Sequence, residues 1–163
     1  MIYEYRPLII AAIEIAIIFF VLSRGVRFKN LIASIILFLA IYQIGESLIV
    51  LTDYDLTGLK IAYFATTLLP GLGLILVEKL AKEEHFGKYV FGVGLVLSIL
   101  FVLIPEPVYF HENINCILKV TSANNAGTFY YTWVAYYLGS LALTIIYILV
   151  LIWKAETSKE RYD

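Results

Sequence analysis

Glu14 and Glu46 are the side chains whose type and position could do chemistry here, because each carboxylic acid interrupts an apolar run long enough to cross a bilayer. Placing a charged side chain at the bilayer centre costs from ~2.5 to well over 10 kcal/mol depending on the reference state, so such acids stay neutral, find a partner or face a polar cavity. Three chemistries follow. Neutral acids can hydrogen-bond across helices, a contribution of ~0.6–2 kcal/mol in a membrane. A ligand pocket or proton-sensitive switch can use the acid as its selective group, since a cationic ligand favours the ionised form. A chain of acids can also pass protons or ions.

The neighbours of the two acids extend this set. Glu46 lies in Tyr42-Gln43-Ile44-Gly45-Glu46-Ser47, where Tyr42, Gln43 and Glu46 are three or four positions apart and share a helical face. Glu14 is near the middle of its own run and lies deeper. A third run offers Tyr63, Thr66 and Thr67, followed by Pro70-Gly71-Leu72-Gly73. A proline inside a helix leaves the carbonyl of Thr66 without its backbone donor and predicts a kink at Pro70. Near the start of the last run, Phe129-Tyr130-Tyr131-Thr132-Trp133 reads as an interfacial anchor, with Tyr136 and Tyr137 one to two turns deeper. An inward tyrosine hydroxyl needs a buried partner, and Glu14 or Glu46 is the available one. The expected polar cluster is therefore Glu14, Gln43, Glu46, Tyr63, Thr66 and Tyr136, with Pro70 as the kink.

Helices must position these residues. A composition of 61% hydrophobic and 15% charged residues in 163 would leave a soluble globule with an apolar exterior, so the chain is expected in the cell membrane as a multi-pass protein. Five apolar segments, 7–23, 31–51, 60–80, 89–104 and 131–153, approach the ~20 residues that cover a hydrocarbon core. Lipid offers no water to an open backbone, and alternation is too weak for barrel strands. The predicted fold is all-α, a single domain over 1–163 built as a bundle of five transmembrane helices. The first segment reads as a genuine helix because no basic residues precede its apolar run and Ser23-Arg24-Gly25-Val26-Arg27 follows it.

Basic residues set the expected orientation. Arg24, Arg27 and Lys29, then Lys79, Lys82 and Lys88, then Lys154, Lys159 and Arg161 fall on one side, nine of the twelve in the chain. Lysine and arginine mark the cytoplasmic side, so the N-terminus is predicted outside and the C-terminus in the cytoplasm. The connection 105–130 is then an outer loop. Pro105 and Pro107 should stop the fourth helix, and 115–120 suggests a short strand or an amphipathic turn over the bundle mouth. A loop of this length binds something or covers helix ends.

Several classes are disfavoured. A net charge of −1, with basic residues in short clusters, gives no nucleic-acid footprint. Cys116 is the sole cysteine, so no intrachain disulfide forms. His85 and His111 are expected on opposite faces and cannot share a metal, and no cofactor is expected. Gly71, Gly73, Gly92 and Gly94 lack a nucleotide-binding setting and read as helix-contact residues. No nucleophile signature is present, so no enzyme is expected.

The run Leu37-Phe38-Leu39-Ala40-Ile41-Tyr42-Gln43-Ile44-Gly45-Glu46-Ser47-Leu48, then Asp53-Tyr54-Asp55, then Lys60-Ile61-Ala62-Tyr63-Phe64-Ala65-Thr66-Thr67-Leu68-Leu69-Pro70, resembles a helix pair in the seven-helix membrane sensor region that precedes some histidine kinases. The expected outside N-terminus and the aromatic entry from Phe129 to Tyr137 are similar to that region. The resemblance implies ligand or membrane-state sensing, with output passed to a separate partner through the fifth helix, Glu46 as a pocket residue and Pro70 as a kink. Five helices are expected where that family has seven, and no kinase domain, dimerisation helix or phospho-acceptor histidine is recognisable. The first functional expectation is a sensor-like or partner-binding protein. The alternatives are an accessory or structural subunit of a larger membrane complex, or an oligomer conducting protons or ions. Expected partners are membrane lipid and either another membrane protein or a second copy of the chain.

Overall fold

In the computed structural model, which describes residues 5–51, 55–82, 86–103, 110–111, 122–123 and 128–159, the apolar runs form five helices. They are α1 (Arg6–Ser23), α2 (Lys29–Leu51), α3 (Asp55–Ala81), α4 (Gly87–Leu103) and α5 (Thr128–Lys159). By length and composition, Arg6–Ser23, Lys29–Leu51, Thr57–Ala81 and Tyr131–Lys154 can each cross a membrane, whereas α4 is shorter at 17 residues. Pro7 sits in the first turn of α1, where its missing N–H would have had no helical partner. The helices α3 and α5 outrun these apolar spans, α3 beginning at Asp55 and α5 continuing to Lys159, because polar residues such as Glu156 and Lys159 continue a helix without difficulty.

Between α4 and α5, β1 (Phe110–His111) pairs antiparallel with β2 (Ser122–Ala123), Phe110 opposite Ala123 and His111 opposite Ser122. The stretch 115–120, expected as a strand or turn, lies outside the described residues.

The centre of the bundle is α3. Half of its apolar window is buried, against 6% in α1 and in α5. Leu59, Ala62, Ala65, Thr67, Leu68, Leu72 and Leu74 occupy that interior. Helix α2 packs on one side of α3 and α4 on another; α5 crosses α3 and touches α4, and α1 lies outside, with α2 as its helix neighbour among the described residues. Lipid is as apolar as leucine, so helix association depends on close backbone approach instead of hydrophobic exclusion. Gly45 of α2 and Gly58 of α3 make that approach reciprocally: a Cβ on Gly45 would stand 2.7 Å from the Gly58 carbonyl oxygen, and one on Gly58 would stand 2.6 Å from the Gly45 oxygen. Gly71 meets the backbone of Phe91 in the same way, joining α3 to α4. Of the four glycines expected at helix contacts, Gly71 and Gly94 make them; Gly73 and Gly92 face open space.

Glu78 fixes the far end of α3 against α4. It is buried, and its Oε1 accepts hydrogen bonds from the backbone N–H of Phe86 at 2.6 Å and of Gly87 at 2.8 Å. Two donors at the start of α4 that have no intrahelical partner are thereby satisfied from another helix.

Candidate functional site

The end of α2 at Leu51 and the start of α3 at Asp55 are close in the chain, and the connection that holds β1 and β2 joins the end of α4 to the start of α5. Antiparallel passage therefore brings Glu46, Tyr63, Phe101 and Trp133 to one end of the bundle. On α2, the Tyr42 hydroxyl donates to Glu46 Oε1, a pairing that the four-residue spacing allows on one helix face. Tyr42 also lies within electrostatic reach of Tyr63 on α3, against which α2 packs, and of Tyr137 on α5, which α2 does not touch among the described residues.

The rings beside it form a continuous set. Tyr63 stacks on Phe101 with centroids 5.0 Å apart and 13° between planes, and presents an edge contact to Trp133 at 4.7 Å and 73°. Trp133 stacks on Tyr137 at 5.3 Å and 17°, and meets Phe101 edge-on at 6.1 Å. Offset-stacked and edge contacts of this kind add ~0.5–1.5 kcal/mol per pair beyond area burial.

Under the rings runs a hydrogen-bond chain. Trp133 Nε1–H donates to Thr67 Oγ1 at 2.7 Å, and the Thr67 hydroxyl donates in turn to the Tyr63 carbonyl at 2.6 Å. The Tyr136 hydroxyl lies 3.1 Å from the carbonyl of Thr67 and 3.1 Å from that of Val90 on α4, and donates to either. Ser140, buried one turn on, donates to the Tyr136 carbonyl at 2.7 Å.

Of the residues expected in the polar cluster, Glu46 and Tyr63 meet at this end through Tyr42. Tyr136 faces inward, but its partners are the Thr67 and Val90 carbonyls and not Glu14 or Glu46, because its turn of α5 faces the α3–α4 contact. Gln43 is half-buried on α2 and contributes its carbonyl, which accepts from Ser47 Oγ at 2.8 Å. Thr66 is half-buried, and its neighbour Thr67, fully buried, takes the inward role, since successive helical residues are turned by about 100°. Glu14 stands apart. Counted from the turn at 24–28, it is level with Phe38, so Glu46 is about 12 Å further along at 1.5 Å per residue. Its Oε2 is buried and has no hydrogen-bond partner among the described residues. Pro70 is buried within α3, which continues through it. The extra donor from Tyr136 goes to the carbonyl of Thr67, one residue after the carbonyl that proline leaves unserved.

Three participants were not singled out from sequence. Trp133 had a signal, being three and four residues before Tyr136 and Tyr137 and so on their face; the abundance of aromatics around it favoured the interfacial reading. Phe101, in the uniform run of α4, had none. Glu78 sits beside Lys79 and looks like an ordinary helix-end acid.

Comparison of the chain with family models, with curated proteins and with solved structures found no match.

Proposed function

We propose that the chain crosses the cell membrane five times, N-terminus outside and C-terminus cytoplasmic, and acts as a non-enzymatic, sensor-like protein that binds a ligand or responds to protonation at Glu46. The observation that supports this reading is the Tyr42–Glu46 pair, within electrostatic reach of Tyr63 and Tyr137, at the end that the basic-residue count predicts to be outside. An acid whose partner is a phenol on its own helix can exchange that partner for a ligand without unfolding the bundle. A change at Glu46 frees or binds the Tyr42 hydroxyl, which lies within electrostatic reach of Tyr137, and Tyr137 stacks on Trp133. Both residues belong to α5, whose 32 residues extend about 48 Å at 1.5 Å per residue and so reach past a hydrocarbon core of ~30 Å. Helix α5 is thus suited to carry the response to a partner on the other side.

The test uses protein reconstituted in liposomes with Trp153→Phe, so that Trp133 is the sole tryptophan, excited at a wavelength that tyrosine does not absorb. Acidification of the side carrying Glu46 is expected to shift Trp133 emission, and Glu46→Gln to abolish the shift while Glu14→Gln preserves it. An unchanged response in Glu46→Gln sinks the reading. A reporter fused after Asp163 should be cytoplasmic; exposure outside the cell would reverse the orientation.

A second reading, an accessory subunit of a larger membrane assembly, is favoured by Glu14. An unpartnered buried oxygen costs roughly 1–3 kcal/mol, and on a helix at the edge of the bundle a neighbouring protein can supply the missing donor. Mild detergent extraction separates the two: a complex of fixed stoichiometry favours the subunit, a free monomer or dimer the sensor.

A further inference from the structure

At the opposite end of the bundle, four exposed cations stand at the α1–α2 turn and at the end of α3, and two of them share one ring. Arg27 places its guanidinium carbon 4.8 Å from the centre of the Phe28 ring, and Lys79, fifty-two residues on, places Nζ 5.9 Å from the same centre. Arg24 lies 4.9 Å from the Phe20 ring, and Lys29 Nζ donates to the Leu22 carbonyl at 3.4 Å. None of the four forms an ion pair among the described residues. Glu78, next to Lys79, is buried and gives Oε1 to the start of α4; Glu83 and Glu84 lie outside the described residues.

Two positive charges drawn to one ring, Arg27 from the α1–α2 turn and Lys79 from α3, repel each other, and an anion seated between them removes that repulsion. The helix ends that carry these cations also expose large apolar side chains: on α1, Phe19 is 70% exposed and Phe20 58%, and on α3 Leu80, next to Lys79, is 64% exposed. A soluble anion or an acidic protein segment would use the charges and leave this apolar surface unused. A phospholipid uses both. Arginine adds a planar fork that matches phosphate oxygens.

We propose that this turn binds the headgroup of an anionic phospholipid, its phosphate among Arg24, Arg27, Lys29 and Lys79, its acyl chains along Phe19, Phe20 and Leu80. The site is independent of Glu46 and of the sensing role.

Delipidated protein in neutral detergent is titrated with phosphatidylglycerol and, separately, with phosphatidylcholine of the same chains, and bound lipid is counted by native mass spectrometry. Phosphatidylglycerol is expected to be retained in preference. Arg27→Ala and Lys79→Ala should each lower the ratio about fivefold, the change equivalent to ~1 kcal/mol per basic side chain near an anionic surface. Lys154→Ala, removing a charge from α5 at the same end, should leave the ratio unchanged. Should Arg27→Ala fail to fold, rising salt applied to the unmodified protein must weaken retention of phosphatidylglycerol and not of phosphatidylcholine. Equal retention of the two lipids, equal loss in Lys154→Ala, or displacement of the lipid by soluble glycerol phosphate overturns the proposal.

Discussion

The hydroxyl of Tyr136 occupies the space where a Cβ on Gly94 would stand, so α5 reaches the carbonyls of both Thr67 and Val90 only because α4 carries no side chain at that point. One glycine thus lets a single phenol tie α3, α4 and α5 together.

Gly94→Ala should therefore expel the Tyr136 hydroxyl and destabilise the bundle by about 1–3 kcal/mol, the range for overpacking. Tyr136→Phe alone should cost roughly 0.6–2 kcal/mol through the lost interhelical bond. Combined, they should cost less than the sum, because the phenylalanine ring lacks the atom that clashes. Unfolding in mixed detergent micelles measures all three, and strict additivity would argue against the shared space.

Trp133 and Thr67 should be energetically coupled. Trp133→Phe and Thr67→Val each remove one side of the 2.7 Å bond while keeping much of the shape. A double-mutant cycle should return a coupling of roughly 0.6–2 kcal/mol. A value near zero would mean the indole N–H contributes nothing there.

The remote cap on α4 predicts a local effect. Glu78→Ala removes the acceptor of the Phe86 and Gly87 N–H groups, so hydrogen exchange at those two amides should accelerate and stability fall by roughly 1–3 kcal/mol. Glu78→Gln keeps a carbonyl acceptor and should restore most of the protection. Equal exchange in both variants would show that the carboxylate position is unimportant.

Glycines of one kind should divide sharply by location. Gly45→Ala and Gly58→Ala each push a methyl into the opposing backbone and should loosen α2 from α3. Gly73→Ala and Gly92→Ala meet open space within helices and should be neutral or stabilise by up to ~1 kcal/mol, the helix-propensity difference. Thermal unfolding of the four variants tests this, and a destabilised Gly73→Ala would contradict the open space.

Composition and run length were sufficient to locate all five helices, because in lipid the backbone must satisfy itself and an apolar run has no other stable form. Their ends were less legible: α3 starts at Asp55 and α5 continues to Lys159, where polar residues prolong a helix beyond the apolar segment. Glu46 stood out in sequence because a carboxylic acid in hydrocarbon is rare, and Tyr42 followed from its spacing. The identities of the other partners did not follow. Every face of these helices is apolar, so periodicity does not mark which side turns inward: Thr67 instead of Thr66, Phe101 within an unbroken run, Gly94 but not Gly92.

The sequence by itself determined that this is a chain of apolar helices bearing two out-of-place acids. Only the tertiary structure decided that Glu14 Oε2 is buried without a hydrogen-bond partner among the described residues, that Tyr136 serves backbone carbonyls and that Arg27 and Lys79 share one ring. The reason is physical. Helix formation in lipid depends on local composition, whereas interhelical contacts depend on where backbones can approach, and that is fixed jointly by small residues on two helices at once.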